Sequence, residues 1–318
     1  MARRTVAVDE LVTRAVDGDP RAVARLISLV EDASALLPEV SAALAPHLGR
    51  AQVIGLTGSP GVGKSTTTGA LVASLRAQGR KVGVLAVDPT SPFSGGALLG
   101  DRIRMQDHAG DPGVIIRSMA TRGHLGGLAW AAPQALRVLD AAGCDVILVE
   151  TVGVGQSEVE ISRLADTTVV LLAPGMGDGI QAAKAGILEI ADVYVVNKAD
   201  RDGASQVRRE LRGMLSLTQR PDGGWKPPIV LTVAYREEGI DEVVAALDAH
   251  LGHLRESGEL GRRRLRRTRD EIETVATTEL RQRFEALHGD RRLDALAADV
   301  VAGRSDPFAA ARALLGEV

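Results

Sequence analysis

Residues 53–66 read Val53-Ile54-Gly55-Leu56-Thr57-Gly58-Ser59-Pro60-Gly61-Val62-Gly63-Lys64-Ser65-Thr66. The first five form an apolar, strand-like run. Gly58, Ser59, Pro60, Gly61, Val62, Gly63, Lys64, Ser65 and Thr66 then fit the spacing G-x-x-x-x-G-K-[ST] before a helix-compatible stretch, Lys64–Gln78. The glycines let the chain curl through backbone angles barred to other residues. Successive N–H groups then point into one concavity that suits phosphate oxygens, and the helix N-terminus adds its positive dipole end. Lys64 is positioned to meet the β- and γ-phosphates as a point charge and to offset charge during transfer. Ser65 offers a hydroxyl to Mg²⁺.

Outward from this loop, short apolar runs alternate with amphipathic stretches. The runs are Gln52–Thr57, Lys81–Val87, Val114–Arg117, Asp145–Glu150, Thr168–Ala173, Val193–Asn197 and Ile229–Val233. Helical spacing falls between most of them, at Lys64–Gln78, Leu128–Ala142, Ile180–Ile190 and Ser205–Leu217. The pattern predicts an α/β P-loop NTPase fold: a mainly parallel sheet flanked by helices, with helical N- and C-terminal extensions. We expect a helical lead-in over 1–50, a nucleotide domain over 51–255 and a helical arm over 256–318. Within the lead-in, Pro20–Asp32 and Ser34–Leu48 read as helices, the first capped by Asp19.

Ligands in such sheets bind beyond the carboxyl ends of the strands, and three carboxylates stand there. Asp88 ends the second run and leads into a Pro- and Gly-rich loop; Asp101 follows that loop. Glu150 ends the run Val146–Val149 and opens Glu150-Thr151-Val152-Gly153, which is D-x-x-G with glutamate for aspartate. With Ser65, these three are the candidate Mg²⁺ ligands. Gly153 can offer its N–H to the γ-phosphate. Val154 occupies the position after it, so Gln156 is the candidate for positioning the attacking water. No arginine finger is evident, although Arg102, Arg104, Arg117 and Arg122 fall on candidate loops, and we expect slow intrinsic turnover accelerated by a partner.

Asn197-Lys198-Ala199-Asp200 matches N-K-x-D at the end of another strand-like run. The Asp200 carboxylate suits the paired N1–H and N2–H donors of guanine, an edge that adenine lacks. Asn197 and Lys198 would brace the loop and the ring face. Val233, Ala234 and Tyr235 end the last run and could approach the guanine O6 through backbone. The expected ligands are therefore GTP and GDP with Mg²⁺.

The net charge of −3 gives no general attraction to nucleic acid, and aromatics at 2% require an aliphatic core. The single cysteine, Cys144, permits no CxxC clamp and reads as a small core residue. The N-terminus carries no signal-peptide pattern, and no run approaches the ~20 apolar residues that span a bilayer. A cytoplasmic protein is expected. Arg262–Arg267 holds five arginines around Leu265 and reads as the solvated face of a long helix, balanced by Asp270, Glu271 and Glu273. The thin stripe Leu265, Ile272, Val275 and Leu280 suggests burial against a second subunit.

Residues 50–250 resemble the MeaB/ArgK family, GTPases associated with methylmalonyl-CoA mutase that include the human protein defective in one form of methylmalonic aciduria. The resemblance rests on GSPGVGKST (58–66), VDPTSPFSGGALLGDRIRM (87–105), IRSMATRGHLGGLA (116–129), ETVGVGQSE (150–158) and NKAD (197–200). It implies a SIMIBI-class fold and a homodimer built by the C-terminal arm. It also implies a chaperone that binds an adenosylcobalamin-dependent acyl-CoA mutase, gates cofactor loading and protects the enzyme. On this resemblance Lys64, Asp88, Asp101 and Glu150 carry the nucleotide and metal chemistry, and Asp178 and Lys184 match a further switch segment. Two alternatives stay open. A nickel-chaperone-type metal-insertion GTPase would need clustered Cys or His, whereas only His250 and His253 of the six histidines are close in sequence. An ATP-dependent kinase linked to transport is disfavoured by N-K-x-D.

Overall fold

The computed structural model describes residues 7–88, 108, 110–120, 128–151, 157–175, 187–217, 223–285 and 291–315. Seven strands, β1 (Gln52–Thr57), β2 (Val82–Asp88), β3 (Val114–Ala120), β4 (Val146–Thr151), β5 (Thr167–Leu172), β6 (Val193–Val196) and β7 (Ile229–Leu231), form one sheet in the order β3-β2-β4-β1-β5-β6-β7. Every strand pair is parallel. The chain leaves β1 toward β2 on one side and later resumes at β5 on the other. The loop after β1 therefore opens at the point where strand order reverses, the usual ligand crevice of such sheets. All seven expected runs are strands: β1 has the expected bounds, β2, β4 and β5 are each displaced by one residue, β3 runs three residues further to Ala120, and β6 ends one residue earlier at Val196. The last is shorter than expected, ending at Leu231 instead of Val233.

Alternation along the strands divides the core. Val53, Leu85, Val87, Ile147 and Val149 face one side, where they pack with α5 (Leu128–Ala141), α6 (Ser157–Leu164) and the N-terminal helices α1 (Val8–Val16), α2 (Pro20–Glu31) and α3 (Leu37–Leu44). Ile54, Leu56, Val84, Leu148, Val169 and Val195 face the other, against α4 (Lys64–Ala77) and α8 (Ile240–Glu256). Residues 7–50 are thus part of the sheet's own core. Helix α1 was not anticipated, although Val8, Leu11, Val12 and Ala15 are spaced to bury one stripe, and they do. The helix expected from Ser34 starts only at Leu37, because the Ser34 hydroxyl accepts the Leu36 N–H and turns the chain first. Of the helix expected over Ile180–Ile190, the described part, Ile187–Ile190, is a 3₁₀ turn. α7 (Ala204–Leu217) covers the β6–β7 end. Cys144 is buried, and burial pushes its thiol up to about 12, so it packs as a core residue.

The arginine run corrects an expectation. Arg263, Arg264 and Arg267 lie in the first turns of α9 (Glu259–Glu285), and they are tied to the sheet instead of solvated. Arg263 donates to both carboxylate oxygens of Asp192, at 2.8 and 2.9 Å, and to the Asp166 carbonyl. Arg264 donates to Asp166 Oδ2 at 2.9 Å and to the carbonyls of Gly49 and Ala51. Arg267 reaches Asp166 and the Leu164 carbonyl. The two aspartates in turn accept backbone N–H groups at the amino ends of strands: Asp166 from Val53 and Asp192 from Thr168. Asp166 is fully buried. Such pairing is what makes a buried carboxylate tolerable, and removing one partner of a buried pair typically costs about 3–5 kcal/mol.

Two compact units divide the chain, 1–268 and 269–318. The first holds the sheet and the start of α9. In the second, α10 (Arg291–Val301) and α11 (Pro307–Leu315) pack on one another. Leu265 of the first unit and Ile272, Leu280 and Phe308 of the second are exposed.

His250 is completely buried under the sheet. Its Nδ1 lies 2.9 Å from the Thr167 hydroxyl, its Nε2 lies 3.3 Å from Asp192 without forming a well-aligned hydrogen bond, and Trp225 packs on the ring. Burial pushes the imidazole down to about 4; Asp192 and Asp166 favour the charged form, while Arg263 and His253 oppose it. A histidine that titrates lower when folded binds its proton first in the unfolded chain. Stability is therefore present above about pH 6.5 and lost as pH falls toward 4. We expect the protein to lose about 2 kcal/mol more unfolding free energy between pH 7 and pH 5 than a His250→Gln variant does. Urea titrations at both pH values check this, and equal losses would refute it.

Candidate nucleotide-binding site

The loop between β1 and α4 is held in shape from three sides. Gly58 has φ 139°, and a Cβ there would fall 2.3 Å from the Leu171 carbonyl oxygen of β5. Gly63, at φ 95°, caps α4, and a Cβ there would fall 2.4 Å from Asn197 Nδ2. The loop therefore needs glycine both for its dihedrals and for its close approach to its neighbours. Lys64 is buried, and its ammonium lies across the loop, donating to the carbonyls of Gly58 at 2.7 Å and Ser59 at 3.2 Å.

Glu150, near the carboxyl end of β4, pairs in register with Leu56 of β1 and Ala86 of β2. Its buried carboxylate accepts the Ser65 hydroxyl at 2.6 Å on Oε1 and the Thr68 hydroxyl at 2.9 Å on Oε2. The same register carries β2 two residues further, to Asp88. Ser65 and Glu150 present adjacent oxygen donors beside the phosphate loop. That chemistry fits Mg²⁺, which takes one or two carboxylates and completes its shell with phosphate oxygens and water.

The N-K-x-D loop after β6 is joined to the glycine-lined loop after β1. Asn197, 3% exposed, donates from Nδ2 to the Val62 carbonyl at 2.8 Å. Its Oδ1 accepts the Ala234 N–H at 3.1 Å and the Thr232 hydroxyl at 3.2 Å. Lys198, in left-handed backbone at φ 57°, donates to the Gly61 carbonyl at 2.6 Å. Asp200 stands at the exposed end of this loop and accepts the Tyr235 hydroxyl at 3.0 Å. Val233, Ala234 and Tyr235 lie beyond β7: Val233 bridges to Glu238, and Ala234–Arg236 form a 3₁₀ turn. In this arrangement the Ala234 N–H is directed to Asn197.

The structure thus gathers Gly58 to Thr66, Glu150, Asn197, Lys198, Asp200 and the 233–235 turn at one end of the sheet. Asp88 is placed by its strand only. Asp101, Gly153, Gln156, Asp178 and Lys184 lie outside the described residues, as do Arg102, Arg104 and Arg122. Arg117 is engaged elsewhere: it donates to the Ser28 hydroxyl and pairs with Glu31 of α2. Sequence reasoning missed Thr68 and Thr232. The signal for Thr68 was a hydroxyl on the inward stripe of α4, one turn after Ser65 and in line with Leu71, Val72 and Leu75. His250, of the one close histidine pair, is committed to Thr167 and Asp192.

Residues 23–288 match the family described as methylmalonyl Co-A mutase-associated GTPase MeaB. This chain belongs to the MeaB family. A Pyrococcus abyssi (strain GE5 / Orsay) protein named as a GTPase is 48% identical to it over 313 residues, covering 98% of this chain and 97% of that one. The Mus musculus protein named methylmalonic aciduria type A homolog, mitochondrial, is 38% identical over 274 residues, covering 81% of this chain and 66% of that protein. A crystal structure named LAO/AO transport system kinase shares the fold with a TM-score of 0.70 at 28% identity, covering 99% of each chain. A MeaB-family GTPase accords with one end of the sheet carrying both the G-x-x-x-x-G-K-[ST] loop and the N-K-x-D segment. Among the described residues, no helix is long and apolar enough to cross a membrane.

In this MeaB-family chain Gly63 is the position where both loops meet. Gly63→Ala adds a methyl group against Asn197 and a left-handed non-glycine residue, which costs on the order of 1–3 kcal/mol. We expect GDP affinity to fall by about tenfold or more, with the circular dichroism spectrum unchanged. Calorimetric titration of the variant with GDP checks it; wild-type affinity would show that the loops are not coupled at this point.

Proposed function

We propose that this chain binds GTP and GDP with Mg²⁺ and hydrolyses GTP slowly. Its nucleotide state would control a chaperone action on an adenosylcobalamin-dependent acyl-CoA mutase, gating cofactor loading and protecting the mutase. The observation that carries the nucleotide reading is the pair of hydrogen bonds joining Asn197 and Lys198 to the carbonyls of Val62 and Gly61. In this reading phosphate recognition and base recognition belong to one hydrogen-bonded unit. The mutase reading is supported by the family description and by the name of the mouse relative.

In this reading the phosphate-loop amides and Lys64 bind the triphosphate and stabilise charge on its γ-phosphoryl oxygens. Ser65 and Glu150, together with Asp88 and Asp101, would hold the magnesium, which would supply positive charge to offset that of the β- and γ-phosphates. Gly153 meets the γ-phosphate with its N–H, and Gln156 orients the attacking water. Asp200 accepts the guanine N1–H and N2–H, with Ala234 and its neighbours beside O6. Asp178 and Lys184 belong to a segment that responds to nucleotide or partner. The helical arm over 256–318 pairs two copies through Leu265, Ile272 and Leu280, whose exposure supports an interface there. The protein acts in the cytoplasm, without nucleic acid or membrane.

A second reading comes from the solved structure named as a transport-system kinase. A kinase of that type would use ATP, whereas a carboxylate placed for the guanine edge rejects adenine by leaving polar groups unpaired. We expect GDP to bind at least about a hundredfold more tightly than ADP. GTP turnover should rise when the purified mutase is added, and the two proteins should co-elute differently with a GTP analogue than with GDP. Comparable GDP and ADP affinities would overturn the GTPase reading. Nucleotide-independent co-elution and unchanged turnover would overturn the chaperone reading.

A further inference from the structure

Glutamate at the end of β4 raises a mechanical problem. It carries one more rotatable bond than aspartate, so its carboxylate has more ways to point away from a metal. The structure restrains that freedom from α4. Thr68, fully buried, lies one turn after Ser65 on the same helix face and donates to Glu150 Oε2 at 2.9 Å, while Ser65 donates to Oε1 at 2.6 Å. The Thr68 hydroxyl is also 3.0 Å from the Lys64 carbonyl. A hydroxyl has one proton, and the charged carboxylate is the stronger acceptor. The helical contact with Lys64 selects the Thr68 rotamer, and that rotamer aims the proton at Glu150.

We propose that Thr68 is a positioning residue for magnesium: it fixes the far oxygen of Glu150 so that the near oxygen stays directed toward Ser65. The inference rests on the nucleotide–magnesium reading above. In this role Thr68 would act through Glu150 and not as a metal ligand itself. It acts by removing one swing of the Glu150 side chain, and its loss should weaken metal binding while sparing the contacts made by the phosphate-loop amides and the base loop. Hydrogen bonds to charged groups contribute more than neutral ones, which sets the expected scale at about tenfold.

The test is magnesium titration of the full-length protein already loaded with GDP, followed by calorimetry or by release of a fluorescent GDP analogue. Thr68→Val should need about tenfold more Mg²⁺ for half-saturation. GDP affinity measured in chelator should stay within about twofold of wild type, and Thr68→Ser should restore the magnesium response. Thr68→Ala, which suits a helix interior, repeats the test should the valine variant fail to fold. Wild-type magnesium dependence in the folded variant would overturn the proposal. So would an equal loss of GDP affinity without metal, or failure of serine to rescue. If the wild-type protein binds no GDP, the nucleotide reading itself fails, an outcome separate from any of these.

Discussion

Asn197 occupies the junction on which the site depends. Its side chain spends its donor on the carbonyl of Val62 and its acceptor on Ala234 and Thr232. One buried amide thereby spans the phosphate loop, the base loop and the turn after β7. In the proposed function, hydrogen bonding of the two loops would hold the phosphate-binding and guanine-reading groups at a fixed separation and so preorganise the site for one ligand. The close approach that makes this coupling possible is also what requires glycine at position 63.

Opposite ends of the sheet carry opposite duties. At the carboxyl ends, Glu150, Ser65, Lys64 and Asp200 hydrogen-bond to one another or to nearby loop groups, contacts that a bound nucleotide and magnesium would replace in the proposed function. At the amino ends, Asp166 and Asp192 are saturated by backbone N–H groups and by arginines from α9. Burying those charges without complete pairing would be unfavourable, so the network ties the start of α9 firmly to the strands. His250 completes the packing as a neutral ring.

Strand positions were readable because parallel strands buried on both faces are near-continuous apolar runs, and each run here is bounded by a glycine, a proline or a charged residue. The phosphate loop and N-K-x-D were readable because each is a local motif whose geometry depends on neighbours in sequence. The arginine run departs from its expected solvated face at Arg263, Arg264 and Arg267, while Arg262 and Arg266 are exposed as expected, and the reason is the opposite one. Five charges in six residues look solvated until their partners are known, and Asp192 lies 71 residues from Arg263. Helix α1 is legible in its spacing, and the hydroxyl of Thr68 stands on the buried face of α4 between Ser65 and the apolar Leu71, Val72 and Leu75.

The sequence by itself determined the strand-and-helix alternation, the glycine-lined loop, and the carboxylates and amide that end their strands, because these follow from local periodicity and steric permission. Only the tertiary structure decided the strand order, the joining of Asn197 to Val62, the clasp of Ser65 and Thr68 on Glu150, and the capture of the arginines by Asp166 and Asp192. Those are contacts between distant segments. Their partners are chosen by which surfaces the packed sheet brings within hydrogen-bond reach, and a linear pattern does not contain that distance.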